Sequence, residues 1–493
     1  MRIRHHAGAA AQSVAPHVEL ILAEEGAIIE ADDRALDEAR DSARESDPAH
    51  IEDARADATD IPFVTIDPPG ARDLDQALHL ERTRDGHRLR YAIADVAAHV
   101  TPGGALDALA HARGSTVYCP DRRIGLHPPE MSEGHASLLA QQRTKAVMWS
   151  VVIGGDGALG DVSIERVWVR SRRQLAYGDL ERPADAADKE LRALLHDVGQ
   201  ARRAAVRAQG GVTLPLPEQE VNERDGRLYL DLRAGTAIED DNAQLSLATG
   251  MAAARVMLAG GTGILRTMPA ADDGALEQLR RQARALGVAW PRETTYAQLL
   301  DALDPTAPST LAFLTAATRL FRGARWEPFD VHDPDLPQPD STAHGALGAA
   351  YAHVTAPLRR LADRYAAEAA LAEAQGRDVP AWVREGMVPA AADTATGARR
   401  ASAVERRCVD AVESVVLASR VGEAFEGVAL DDRTVQLLRP PVIARCEGEV
   451  PPGDTVVVEL LRAEAPDGPV FRRVEGDQGA AGPSSTSSSR WAP

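Results

Sequence analysis

Hydrophobic periodicity changes character twice along this chain, and those two switches restrict its fold more than any single residue does. From Ile61 the apolar residues run in extended stretches: IPFVTID, LRYAIADVAAHV at 89–100, and then VMWSVVIGG and DVSIERVWVRS, which read as a hairpin around Gly154–Gly160. A short helix, ALDALAHAR at 105–113, interrupts them. From Lys189 the helical period takes over, with helices expected at 189–209, 244–258, 274–286, 309–320 and Pro357–Gln375 and one strand at 226–233. Beyond Gly422 the β pattern returns as EGVALDD, TVQLLRP, VIARCEGEV, DTVVVELLRAE and PVFRRVE, five short strands that suggest a small OB/S1-like barrel. The expected class is α+β, a mixed sheet surrounded by helices with a small C-terminal β-barrel. With 493 residues the chain is too long for one core. The expected segments are a helical extension at 1–57 with a helix over Arg34–Glu45, a catalytic domain at 58–418, the barrel at 419–476, and a disordered Gly/Ser-rich tail at 477–493.

Composition narrows the functional classes. The three cysteines, Cys119, Cys408 and Cys446, are scattered and show no CxxC spacing, which argues against a disulfide framework or a zinc site. There is no apolar run of about 20 residues and no apolar h-region in MRIRHHAGAAAQ, so a cytoplasmic protein without a membrane partner is expected. The net charge of −19 argues against uniform binding of nucleic acid. Net charge is an average, however, and one channel can still be lined with cations. Only Lys145 and Lys189 are lysines, so nearly all the positive charge is guanidinium, which suits planar, bidentate recognition of phosphate, although biased genome composition accounts for most of the arginine excess.

Three carboxylates crowd the segment Thr65-Ile-Asp-Pro-Pro-Gly-Ala-Arg-Asp-Leu-Asp-Gln-Ala77. Asp73 and Asp75 are two apart, so an extended backbone points both to one face with Cα atoms about 6–7 Å apart. Asp67 ends a strand before a Pro-Pro-Gly turn that can fold the chain back toward them. Small hard cations such as Mg²⁺ need oxygen ligands in octahedral geometry, and convergent carboxylates, water and a substrate phosphate supply them. Such a site polarises a phosphodiester and acidifies an attacking water. On spacing alone, a solvated acidic turn accounts for these residues equally well. An EF-hand does not, because its glycine and closing glutamate are out of register.

TIDPPGARDLDQA resembles the TIDxxxARDxDDA signature of the RNB exoribonuclease family, the catalytic domain of ribonuclease II and ribonuclease R. The resemblance continues in order through YAIADVAAHVTPGGALDALAHARGSTVYCP, HPPEMSEGHASL at 127–138 and HGALGAAYAHVTAPLRRLADR at 344–364, and spans roughly residues 60 to 415. It implies 3′→5′ hydrolysis of single-stranded RNA to nucleoside 5′-monophosphates, assisted by one or two Mg²⁺ or Mn²⁺ ions. Asp67, Asp73 and Asp75 match three of the family's four acidic residues. Gln76 stands where the fourth carboxylate is expected, and its amide oxygen is a candidate fourth metal ligand without charge. Arg359, with Arg360 second, matches the arginine that steadies the scissile phosphate. Read without the family, both arginines would serve as helix caps or salt bridges. Tyr118 matches an aromatic that stacks on a base near the 3′ end. His353 and Thr355 match positions that support the RNA backbone or orient the helix start. His344 is equally open, and Glu405 resembles a glutamate near the RNA path. No second aromatic clamp can be placed, since no Phe, Tyr or Trp lies between Tyr177 and Tyr229. In EDDNAQLSLATGMAA, Ala243 replaces a glutamate that lines the family's channel.

The resemblance also implies a short form. The roughly 60 residues before the acidic motif cannot hold a cold-shock barrel plus linker, so a preference for short or single-stranded RNA is expected. A monomer without a dinucleotide cofactor is expected as well. The competing class is a catalytically weak or inactive RNB-fold RNA-binding protein, which Gln76 and the acidic surface favour. The retained aspartates, Tyr118 and the arginine pair favour the enzyme. A glycosyltransferase with a D-x-D motif fails on the other three blocks.

Overall fold

The computed structural model describes residues 13–45, 55–214, 218–224, 226–233, 235–304 and 307–474; the tail expected at 477–493 lies outside them. Two helices open the chain, α1 (Ala15–Glu24) and α2 (Asp33–Glu45). Next come β1 (Ala56–Asp57), β2 (Val64–Ile66), β3 (Gln76–Thr83), β4 (Gly86–Ala94), helix α3 (Ala105–Arg113), and a small hairpin of β5 (Val117–Tyr118) and β6 (Arg123–Ile124). Strands β7 (Arg143–Gly154), β8 (Leu159–Arg170) and β9 (Arg173–Leu175) complete a seven-stranded sheet in the order β1-β8-β7-β4-β3-β2-β9. Only its outer pairs, β1 with β8 and β2 with β9, are parallel.

Strict alternation explains why this sheet is buried on both faces. Leu78, Leu89, Tyr91, Ile93, Val147, Trp149, Val151 and Ile164 enter one core, while their neighbours Ala77, Ala92, Ala94, Ala146, Met148, Val167 and Val169 enter another. The first face meets helix α5 (Ala186–Ala208), helix α6 (Ala237–Gly260) and helix α10 (Leu361–Ala374). The second meets α2 and α3 through Ala39 and Leu106. Helix α10 carries Ala362, Ala366, Ala369, Ala370 and Ala372 into the first core, and these small side chains let it lie close to the sheet.

Around this centre stand α4 (Tyr177–Glu181), the hairpin of β10 (Glu218–Arg224) and β11 (Arg227–Arg233), and α7 (Asp273–Ala285), α8 (Tyr296–Ala302) and α9 (Pro308–Ala317). A ribbon of β12 (Thr262–Thr267) and β13 (Arg325–Asp330) and a tiny hairpin of β14 (Ala343–His344) and β15 (Ala349–Ala350) lie beside α6 and α10. The 37-residue helix α11 (Ala381–Leu417) follows. Periodicity does not announce it, because Pro389 falls inside it and its buried stripe mixes Val and Met with Ala, Thr and Gly. Strands β16 (Ala424–Ala429), β17 (Thr434–Leu437), β18 (Ile443–Glu447), β19 (Thr455–Arg462) and β20 (Val470–Arg473) close into a five-stranded barrel. Its core, with Phe425 and Phe471, is continuous with Cys408 and Val412 of α11 and Ile21 of α1. The α+β class with a C-terminal barrel therefore holds.

One expectation is corrected. The helix expected from Pro357 begins only at Leu361. Pro357 has no N–H and disfavours helical backbone at Ala356. The Ala356 and Leu358 N–H groups are instead given to Asp363 Oδ2 and Asp75 Oδ1, each at 2.8 Å. Residues 356–360 form a buried turn, and this turn reaches the acidic segment.

A second connection holds that turn from the other side. Leu361 N donates to Gly114 O at 3.2 Å, and Thr116 N donates to Arg359 O at 3.1 Å. The approach needs glycine: Gly114 has φ +69°, and a β-carbon there would run into the Asp393 carbonyl and Gly397 of α11. Gly114→Ala is therefore expected to cost about 2–4 kcal/mol through left-handed strain and overpacking. Urea unfolding with the parent's midpoint would contradict this.

Candidate active site

Asp67 lies just past β2, where its N–H donates to Leu175 O of β9 at 3.0 Å. The chain then turns through Gly70, whose φ is +83°, and comes back along the same sheet edge. Asp75 stands one residue before β3, and its carbonyl accepts from Ala94 N at 2.9 Å, which extends the β3–β4 register by one step. The three aspartates are thus placed by a strand end, a glycine turn and a strand start. Asp73 acts electrostatically on both others.

The surroundings of the three differ. Asp75 is buried; its Oδ1 holds the Leu358 N–H, and its Oδ2 lies 3.4 Å from Arg359 Nε. Asp73 is ion-paired with Arg123, whose other side holds Glu133 at 2.5 Å. Asp67 has a buried Oδ2 without a hydrogen-bond partner. Burial pushes the Asp67 carboxyl up to about 7, with repulsion from Asp73 adding to it. Burial pushes Asp75 up to about 8, although Arg359 and the Leu358 N–H pull it back. This edge holds more buried carboxylate than its cations neutralise.

Among the described residues, no three carboxylate, histidine or cysteine side chains converge closely enough to cage a metal ion. The donor set nonetheless fits Mg²⁺ or Mn²⁺. Magnesium keeps several waters and is commonly bound through one or two carboxylates plus substrate phosphate. An unpartnered carboxylate oxygen on Asp67, beside the hard oxygens of Asp73 and Asp75, offers that kind of incomplete shell.

Gln76, the candidate fourth ligand, is engaged by protein groups in this structure. Consecutive strand residues point to opposite sides, so Gln76 faces α6 where Asp75 faces the Leu358–Arg359 turn. Its Nε2 donates to Thr355 O at 2.7 Å, and its Oε1 accepts from the Tyr91 hydroxyl and from Ser246 Oγ at 3.4 Å. Both ends of the amide are taken up by protein.

Arg359 projects from the buried turn with 45% of its side chain exposed, so it is reachable by a substrate while Asp75 orients it. Tyr118 is half-buried at the same edge, close enough to feel Arg359, Asp73 and Asp75. Arg360 makes a two-pronged pair with Asp363, at 3.0 and 2.8 Å, and acts as a structural clamp on α10. Thr355 is buried, its hydroxyl 3.4 Å from Ser246 Oγ, so it braces the turn. His353 packs edge-on against Trp326 and Tyr351, and His344 against Tyr351. Glu405 is half-buried on α11. Ala243 is exposed on α6, where the expected channel glutamate is replaced.

Sequence reasoning missed Arg123, Tyr91 and Ser246. The hairpin register pairs Arg123 directly with Tyr118, and the short turn CPDR between two β-type pairs was the available signal. Nothing local announces Tyr91 and Ser246, which reach Gln76 from β4 and α6.

A two-sided sheet carrying an acidic edge, with an arginine on a buried turn and a barrel at the far end of a long helix, defines a domain class that comparison identifies. The RNB domain family matches residues 55–371, and the RNase II-type exonuclease C-terminal S1 domain matches residues 423–474. The chain belongs to the RNB family. Exoribonuclease 2 of Photorhabdus laumondii is 36% identical over 159 residues, 30% of this chain and 25% of that protein. The match thus spans about a quarter of such a relative's length. Among solved structures, Mycoplasma genitalium RNase R in complex with ribose-methylated single-stranded RNA superposes with a TM-score of 0.79 at 16% identity, covering 93% of this chain and 77% of that one. Yeast Ssd1, described as a pseudonuclease, superposes with a TM-score of 0.60 at 15% identity over 82% of this chain and 52% of its own. At these identities the likeness is one of fold.

The buried carboxyls give a pH prediction. With folded values raised to about 7 and 8, Asp67 and Asp75 hold protons that the unfolded chain releases near pH 4. The folded state binds more protons in that interval, so metal-free stability falls as pH rises from about 4 to about 8. Magnesium competes with those protons, so its stabilising shift in thermal unfolding is expected to be larger at about pH 8 than at about pH 6. A magnesium shift that is the same at both values, or absent, would count against the site.

Proposed function

We propose that this chain hydrolyses single-stranded RNA from its 3′ end, releasing nucleoside 5′-monophosphates with Mg²⁺ or Mn²⁺, as a monomer in the cytoplasm. The observation that carries this reading is the buried, under-neutralised pair Asp67 and Asp75 beside a half-exposed Arg359 on a rigid turn. The family membership and the RNA-bound RNase R of the same fold support it.

Asp67, Asp73 and Asp75 would hold the ion. When bound, the ion supplies Lewis-acid charge at the phosphodiester and acidifies a water. Asp67 Oδ2, buried and without a protein partner, would aim such a water by accepting its hydrogen bond. Arg359, steadied by Asp75 Oδ2, donates to the non-bridging oxygens where charge develops. Tyr118 supplies a face for a base next to the scissile bond, a contact that tolerates any base. Since no side chain reads a base edge in this scheme, the activity is independent of sequence.

The test uses 5′-labelled single-stranded RNA with Mg²⁺ or Mn²⁺. The parent is expected to give a ladder of 3′-shortened products, and Asp75→Asn none. Tight binding without products under either metal would instead establish a pseudonuclease. Within the active reading, Arg359→Ala is expected to lower kcat about 10²–10³-fold, as for loss of one transition-state donor. Tyr118→Ala is expected to weaken RNA binding by about 1–3 kcal/mol, read mainly in KM. Equal losses of kcat and KM in the two variants would contradict these separate roles.

A further inference from the structure

Arg266 has no part in the proposed hydrolysis. It sits on β12 directly across from Trp326 on β13, with its guanidinium carbon 3.6 Å from the centre of the indole ring. Its backbone N–H donates to Tyr351 O at 2.8 Å, which fixes the base of the side chain. Its guanidinium makes no hydrogen bond or ion pair with any described residue, and Nη1 is buried without a partner. A guanidinium carries five N–H donors, and leaving them unmade near a protein interior costs free energy. Burial, with repulsion from Arg360 adding to it, holds Arg266 down to about 10. Arg360 itself is neutralised by Asp363. The uncompensated charge is therefore that of Arg266.

Its neighbours repeat the pattern. Trp326 Nε1, a donor only, is buried and unpartnered, and so are His344 Nδ1 and His353 Nδ1. The rings form one chain of edge contacts: Trp326 to His353 at 5.8 Å, His353 to Tyr351 at 5.4 Å, and Tyr351 to His344 at 5.9 Å. Arg266, Trp326, His344 and His353 are each only half-buried, so the cluster borders solvent. The ribbon, the β14–β15 hairpin and the stretch 351–353 therefore bring an unsatisfied indole donor, two unpartnered ring nitrogens and, among the described residues, a cation without an acid together, six residues before Arg359. The complementary ligand is an anion with several acceptor oxygens and a flat neighbour that tolerates aromatic edges, which describes a nucleotide phosphate.

From this we infer that Arg266, Trp326, His344 and His353 form a second phosphate-binding site beside the carboxylate centre, taking a phosphate of the RNA backbone or of the released nucleoside 5′-monophosphate. The inference deepens the nuclease reading and rests on it for the identity of the ligand. The held guanidinium lies pre-oriented by stacking, so little side-chain freedom is lost when the phosphate arrives. A backbone phosphate here would help retain the strand between cleavage steps, whereas a product phosphate here would slow release.

The test measures binding in EDTA, so that no turnover intervenes. A fluorescein-labelled oligoadenylate and, separately, adenosine 5′-monophosphate are titrated by anisotropy and calorimetry against the full chain, Arg266→Gln and Trp326→Phe. Loss of affinity of about 10-fold in Arg266→Gln is expected, with the slope of log affinity against log salt for the oligomer reduced by about 1. Trp326→Phe keeps a ring under the guanidinium but removes the Nε1 donor, and a loss of several-fold is expected. Effects confined to the oligomer assign the site to the backbone; effects on the mononucleotide assign it to the product. If Arg266→Gln does not fold, Trp326→Phe decides alone. Both ligands binding the folded variants as they bind the parent would overturn the site. A chain that binds through these residues but never cleaves would refute the nuclease reading and leave this site standing, and cleavage with unaltered variant binding would do the reverse.

Discussion

The turn at residues 356–360 carries the arrangement. Two aspartates far apart in sequence, Asp75 and Asp363, accept the N–H groups of Leu358 and Ala356. Buried N–H groups left unpaired cost about as much as a lost hydrogen bond, so this turn exists only where those carboxylates are present. In return, the turn gives Asp75 a donor inside the protein and projects Arg359 toward solvent. The same backbone takes the Gly114–Thr116 connection on its other side, which brings the Tyr118 hairpin to the same edge. Sheet, helix α10, helix α11 and hairpin therefore meet at one short irregular segment. Displacing it would uncouple the carboxylates from the arginine and the tyrosine together.

Charge is distributed rather than balanced. The chain is acidic at −19, yet guanidinium groups gather beside the acidic edge: Arg123 on Asp73, Arg359 on Asp75 and Arg360 on Asp363. Arg266 stands apart, supported by an aromatic face in place of an acid. An approaching polyanion thus meets guanidinium groups set among carboxylates, and a low-dielectric edge strengthens both kinds of interaction relative to open surface. Three of the four cations are held by carboxylates, and Arg266 is held by an indole face instead.

The acidic motif, the arginine pair and Tyr118 could be singled out because each sits in a short motif that resembles the RNB family, whereas spacing alone left the carboxylates equally open to a solvated turn. The structure brings Asp67, Asp73, Asp75, Arg359 and Tyr118 to one edge. Arg360 and Thr355 belong to the same patterns but serve the turn, and that distinction rests on Asp363 and Ser246. Gln76 is the clearest case. By the resemblance it stood where a fourth acidic ligand was expected, and only the folded structure shows that its amide meets Tyr91, Ser246 and Thr355. Arg123 and Arg266 went unread because their significance depends on pairing across a hairpin and a ribbon.

By itself the sequence determined which stretches are strand and which are helix in most of the chain, the five strands of the barrel, and the presence of three carboxylates within a few residues. These follow from local periodicity, turn residues and spacing, which act over a dozen residues or fewer. Only the tertiary structure decided where α10 starts, which carboxylate each arginine of the pair meets, which face Gln76 takes, and that Pro389 sits inside a 37-residue helix. Two of these rest on hydrogen-bond partners hundreds of residues away: Leu358 for Asp75 at the start of α10, and Thr355 for Gln76. Burial makes those partners obligatory, but nothing in the local chain names them.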